Sequence, residues 1–192
     1  MENNEDGAIP KLEELLTEKE AIISNNISKI TDKIYLGGIE GAKEIEYLKQ
    51  EGITNILTLI GDESPDYEKG LFEREKLYVD DISREDLFKH FRFSIEFIEE
   101  SKKIYIHCFA GMSRSATIVI AYLMWKNHLK FNDAFNFVKE KRKCIEPNNG
   151  FIIQLRYFDI LLNENNYDLR KINFFKGLNL RDLYEKFNYI CN

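Results

Sequence analysis

Hydrophobic side chains fall into two rhythms along this chain, and the switches between them mark its elements. After a polar, disordered-looking stretch at residues 1–10, Leu12, Leu15, Leu16, Ile22 and Ile23 recur at helical spacing and predict an amphipathic N-terminal helix. Two short extended pieces follow at residues 28–30 and 34–36, the second ended by Gly37 and Gly38; residues 42–51 are helix-prone and close at Gly52. The apolar, β-rich segment 53–60 predicts a buried strand, the polar segment 61–70 a loop, and residues 76–79 another strand. From Asp86 onward Leu87, Phe91, Ile95 and Ile98 mark one face of a helix, followed by a short buried strand at 103–108. Three more helical stretches come next: 115–127, apolar nearly all round; 132–141; and 150–162, with Phe151, Leu155, Phe158 and Leu162 on one face. Residues 163–192 are Asn-rich and then weakly amphipathic through Leu180, Leu183, Tyr184 and Phe187. Strands alternating with helices imply an α/β fold built on a central, mostly parallel sheet of about five strands flanked by helices.

Composition narrows the function classes. A chain of 192 residues, 44% hydrophobic and 13% aromatic, has the makings of one compact domain with a real core. Its formal net charge of -6 removes any broad attraction to nucleic acid or anionic lipid, so an anion site must be local. The longest apolar run, Ala116 to Trp125, is half of the roughly 20 residues a membrane span needs and predicts a buried helix instead. The acidic, polar start lacks the pattern of a secretory signal or transit peptide, which points to an intracellular protein, cytoplasmic or nuclear. Cys108, Cys144 and Cys191 have no spacing suggestive of a disulfide framework, and three histidines form no zinc ligand cluster. A reduced compartment and a site without metal or cofactor follow.

The chemistry concentrates in HCFAGMSRS, residues 107–115, set between a buried strand and an apolar helix. A loop that leaves a strand and enters a helix gathers backbone N–H groups and the positive end of the helix dipole at one point, which suits an anion. Gly111 lets the loop curl without a Cβ clash. A cysteine at the start of such a loop sits where the field favours thiolate over the free thiol, whose pKa is about 8.5, so Cys108 is expected to be a nucleophile. Arg114 follows with five residues between it and Cys108, where a planar guanidinium can fold back and grip two phosphate oxygens. The Ser115 hydroxyl can hydrogen-bond the sulfur and ease its departure from a phosphocysteine intermediate. Leaving-group chemistry also needs an acid, for which Asp80 and Asp81 are the candidates.

The span from His107 through Cys108 and Arg114 to Ser115 resembles the signature of the protein tyrosine phosphatase superfamily, and Ala110 and Ser113 are similar to the dual-specificity branch. Residues 34–57 resemble that family's N-terminal strand and helix, and PNNGFIIQL at 147–155 its segment supporting the phosphate loop. The resemblance covers about residues 28 to 162, and implies a three-layer phosphatase fold. It selects Asp81 as the acid, counting back from Asp86, Leu87 and Phe91, and makes His107 a supporting residue that holds the loop and tunes the thiolate. Asn148 is a loop brace by resemblance, although Asn after Pro is also a common turn choice. Thr58 departs from the pattern, standing where the family often has Asn.

The expected function is hydrolysis of phosphotyrosine and of phosphoserine or phosphothreonine on proteins by Cys108, Arg114, Asp81 and Ser115. Phosphate would be held in the loop formed by Phe109, Ala110, Gly111, Met112, Ser113 and Arg114. The loop fillers bring no positive charge, which favours a phosphoprotein over a phosphoinositide or nucleotide; a phosphoprotein-binding scaffold without catalysis is the rival of another class. The expected organisation is an extension over 1–27, a catalytic domain over 28–162, and a partly helical extension over 163–192, of small, atypical type. His90 and His128 are expected to be ordinary surface or helix residues, and Cys144 and Cys191 bystanders to the chemistry.

Overall fold

The computed structural model describes residues 26–60, 65–174, 179, 181–183 and 185. Among the described residues five strands form one sheet: β1 (Ile27–Lys29), β2 (Ile34–Gly37), β3 (Asn55–Leu59), β4 (Glu73–Leu77) and β5 (Ile104–His107), in the order β1-β2-β5-β3-β4. Only β1 runs antiparallel to its neighbour; the other three pairings are parallel. β2, β3 and β5 are buried at every position, as strands of a parallel sheet covered on both faces must be.

Side-chain alternation divides the interior in two. Leu36, Leu57, Leu59, Ile104 and Ile106 face a large core closed by α3 (Phe91–Glu100), α4 (Arg114–Asn127), α5 (Phe131–Lys141) and α6 (Asn149–Glu164). Tyr35, Ile56 and Tyr105 face a smaller core with Ala42 and Leu48, from the short helices α1 (Ile39–Ala42) and α2 (Ile45–Gln50), and with Tyr67 and Phe72. Helices therefore lie on both faces of a central sheet, as expected. α4 is buried from Ser115 to Met124 and packs against α3, α5, α6 and the sheet, which explains a sequence apolar nearly all round.

Three elements differ from expectation. The helix predicted over 42–51 is broken at Glu44, whose ψ is 59°, because the first turn lays Gly41 against the Tyr105 hydroxyl while the second turns Leu48 inward. The strand predicted at 76–79 lies at Glu73–Leu77; this mostly charged edge strand is positioned by backbone pairing with β3 and by Asn55 Nδ2 donating to Glu73 at 2.8 Å. Helical structure beyond Asp86 starts as a 3-10 turn at Phe88–His90 before α3 begins. The predicted N-terminal helix lies outside the described residues, as do Leu180, Tyr184 and Phe187; Leu183 is buried against Ile153.

Past α6 the chain turns through positive φ at Asn166 and Tyr167 and enters a 3-10 turn at Leu169–Lys171. Leu169, Ile172 and Phe174 return to the large core, where the Phe174 ring stacks on Phe88 at 5.0 Å. Among the described residues no helix is long and apolar enough to cross a membrane.

Candidate active site

The carboxyl ends of β2, β5 and β3 lie level, with Gly37 beside His107 and His107 beside Thr58. This is the edge at which open α/β sheets place their ligands. Cys108 follows β5 directly, 1% exposed, and accepts a hydrogen bond from Ser115 Oγ at 3.2 Å. The loop then runs to Ser113, the N-cap position of α4, so that the positive end of a 14-residue helix dipole lies at the end of the loop. Gly111 has φ +68°, and a Cβ there would also run into the backbone of Gly37. Its partner Gly38 is equally close, since a Cβ would meet the Phe109 carbonyl oxygen at 2.7 Å.

Arg114 folds back along this edge. Its Nη1 donates to the Val79 carbonyl at 3.1 Å, and its Nε lies 3.6 Å from Asp81 Oδ2. That separation is an ion pair too long to be a hydrogen bond, which leaves the buried Nε without a hydrogen-bond partner among the described residues. Asp81 Oδ1 accepts from Ser113 Oγ at 2.6 Å and from Asn148 Nδ2 at 2.9 Å. Asn148 in turn caps α6 by accepting from the Phe151 amide at 3.1 Å and donates its own amide to Ser113 Oγ. The structure thus brings Cys108, Ser113, Arg114, Ser115, Asp81 and Asn148 together. Asp80 is exposed and makes none of these contacts.

His107 is fully buried under the loop, with Nε2 2.9 Å from Thr58 Oγ1 and Nδ1 3.3 Å from the Cys108 carbonyl. Burial pushes its pKa down to about 4, so the ring is neutral at pH 7. A carbonyl can only accept, so Nδ1 carries the proton and Nε2 accepts from Thr58, an assignment from partner chemistry. Thr58 therefore sets the tautomer of the residue before the cysteine. Phe109 and Ala110 are exposed to solvent. His128 lies at the end of α4, stacked on Tyr167, and His90 precedes α3. Cys144 is exposed, and Cys191 is outside the described residues.

Three residues to which the sequence analysis gave no individual role support the site. Arg142 is buried against the outer side of the loop, donating to the carbonyls of Gly111 at 2.9 Å and Ala110 at 3.3 Å, and to Ser28 Oγ at 3.2 Å. Gln154 is fully buried in α6; its oxygen accepts from the amides of Leu87 and Phe88, and its nitrogen donates to the Glu85 carbonyl at 2.7 Å. A polar residue on the otherwise apolar face of α6 was the available signal. Gly150 gives the segment after Asp81 its seat, because a Cβ there would collide with the Ser83 carbonyl.

A strand-to-helix loop with a buried thiol, a folded-back guanidinium and an adjacent carboxylate defines the class of cysteine-dependent phosphatases. Residues 34–160 match the family model for the dual specificity phosphatase catalytic domain, and the chain belongs to that family. It is 42% identical to protein-tyrosine-phosphatase MKP1 of Arabidopsis thaliana over 72% of this chain and 18% of that one. It is 40% identical to MAP kinase phosphatase with leucine-rich repeats protein 1 of Dictyostelium discoideum, over 68% of this chain and 16% of that one. The chain thus spans less than a fifth of the length of these two relatives. The crystal structure of human tyrosine phosphatase-like serine/threonine/tyrosine-interacting protein superposes with a TM-score of 0.70 at 32% identity, covering 72% of this chain and 99% of that one.

Proposed function

We propose that this chain hydrolyses phosphomonoesters on proteins, acting on phosphotyrosine and on phosphoserine or phosphothreonine, with residues 28–162 as the catalytic domain between the two extensions. Cys108 attacks phosphorus in line as the ester oxygen leaves, and Asp81 gives that oxygen its proton. Arg114 and the loop amides hold the equatorial oxygens through the transition state. Water then attacks the phosphocysteine, Asp81 takes its proton, and the thiolate leaves towards the Ser115 hydroxyl, releasing phosphate. The observation that carries this reading is the 3.2 Å hydrogen bond from Ser115 to Cys108 Sγ beside an arginine that reaches the carboxylate of Asp81.

A phosphoprotein substrate is favoured because the loop side chains from Phe109 to Ser113 carry no charge, whereas a polyanionic lipid headgroup calls for added cations. The relative named a MAP kinase phosphatase makes a phosphorylated MAP kinase peptide the first substrate to try. The neighbour named an interacting protein keeps a binding scaffold in view as the second reading. Assays with phosphotyrosine peptide, phosphothreonine peptide, phosphoinositide and an aryl phosphate separate these readings. Turnover of the peptides, abolished in Cys108→Ser, is the expected result. Equal turnover by Cys108→Ser overturns the mechanism, and binding without turnover by the unaltered chain selects the scaffold.

A further inference from the structure

In a trans peptide the carbonyl of one residue and the N–H of the next point in opposite directions, so whatever holds the carbonyls of a loop also aims its amides. Five consecutive carbonyls of the phosphate loop have partners on its outer side. Cys108 O faces His107 Nδ1 at 3.3 Å, Phe109 O accepts from the Ile39 amide at 2.9 Å, and Met112 O accepts from the Glu146 amide at 2.9 Å. The two between them, Ala110 O and Gly111 O, both accept from the guanidinium of Arg142. The amides of residues 109–113 are thereby turned to the opposite, inner side. No cis peptide interrupts the run.

We propose that Arg142 is a positioning residue that presets the centre of the anion cradle. It touches neither the thiol nor the reacting phosphoryl group; it acts through the peptides it holds, so the inference rests on the phosphatase reading. Four features make it suited to this. It is 6% exposed, so water competes little for its donors. Its charge strengthens both hydrogen bonds, and its planar fork serves two neighbouring carbonyls from one side, which a lysine ammonium cannot do in the same fixed geometry. Its other arm donates to Ser28 Oγ, tying the loop to β1. Its own amide donates to the Val138 carbonyl at 2.8 Å, anchoring the residue at the end of α5. Without Arg142 the Ala110 and Gly111 carbonyls lose charged donors and the peptides around Gly111, the most permissive residue of the loop, are released to rotate.

The test compares R142M and R142K with the unaltered chain in three measurements: kcat and KM on an aryl phosphate, inhibition by orthovanadate, and binding of inorganic phosphate by calorimetry in a Cys108→Ser background, with circular dichroism to establish folding. The expected result is a folded R142M protein with orthovanadate inhibition and phosphate binding each weakened about tenfold or more, as loss of charge-assisted hydrogen bonds predicts, and R142K in between. A folded R142M that binds both anions within about twofold of the unaltered chain overturns the proposal. Should R142M fail to fold, R142K decides alone, and unchanged anion binding by it overturns the proposal in the same way. Calorimetry needs no turnover, so an unaltered chain that binds phosphate but hydrolyses nothing defeats the phosphatase reading separately.

Discussion

Asp81 and Ser113 are joined by a hydrogen bond of 2.6 Å, and through it the segment carrying the proposed acid is fastened to the loop carrying the proposed nucleophile. The two positions are 32 residues apart, on opposite sides of β5 in the chain. The same carboxylate reaches Arg114 with its second oxygen, so one side chain contacts two consecutive residues where the loop enters α4. In the proposed mechanism, proton delivery and phosphate grip are thus geometrically coupled.

Replacing Asp81 by Asn keeps an acceptor for Ser113 and removes the transferable proton. The expected outcome is a fall of roughly 10²- to 10⁴-fold in kcat on a phosphothreonine peptide, with KM little changed. An aryl phosphate with an acidic leaving group should lose much less, because its oxygen departs without a proton. Steady-state kinetics on the two substrates check this; equal losses on both would argue against Asp81 as the acid.

Ser115→Ala removes the hydroxyl that faces Sγ. A hydrogen bond to a charged group is worth roughly 1.5–3 kcal/mol, so departure of the thiolate from phosphocysteine should slow by about tenfold or more. Rapid mixing with an aryl phosphate should then show a burst of the phenol followed by a slow steady state. A single unchanged rate without a burst would exclude this role.

Gly150→Ala places a methyl group where the Ser83 carbonyl lies. The segment after Asp81 must shift, at about 1–3 kcal/mol of overpacking. Both the thermal midpoint and kcat should fall, whereas Gly70→Ala, at a turn with open space around it but φ +85°, should affect stability and leave kcat intact. Comparing the two variants separates crowding at the site from general loss of stability.

His107 predicts a pH dependence of stability. Its folded pKa, about 4 because of burial, is below the ordinary 6.5, so between these values the unfolded chain binds a proton that the folded one excludes. Stability is therefore full above pH 6.5 and declines as the pH falls through 4, by roughly 3 kcal/mol in all from this group. Burial depresses His90 in the same direction. Chemical denaturation at pH 7 and pH 5 should show a loss that shrinks by roughly 2 kcal/mol in His107→Asn. An unchanged difference between the two pH values would mean that the ring is protonated in the fold.

The pattern of apolar residues revealed β2, β3 and β5 because each is buried on both faces, and it revealed α4 for the same reason. The loop from Cys108 to Arg114 was legible because its chemistry is local, and Asp81 because its spacing from Asp86, Leu87 and Phe91 matches a family pattern. β4 was misplaced because an edge strand is specified by backbone pairing, which leaves little mark on composition. Arg142 was invisible for a related reason. It sits in the charged run KEKRK, which looks like a solvated helix end, and its partners are carbonyl oxygens 31 and 32 positions away that every residue type possesses. Leu169, Ile172 and Phe174 follow an Asn-rich stretch without a helical or strand period, so their return to the core could not be seen in the sequence.

That return gives the large core an aromatic keystone. Phe174 lies between Phe88 and Phe158, and Phe88 belongs to the turn whose amides Gln154 holds. Cutting the polypeptide just after α6 would strip the cover from these rings and leave a sticky aromatic face in water. A shortened protein would then aggregate, rather than behave as the same domain without a tail.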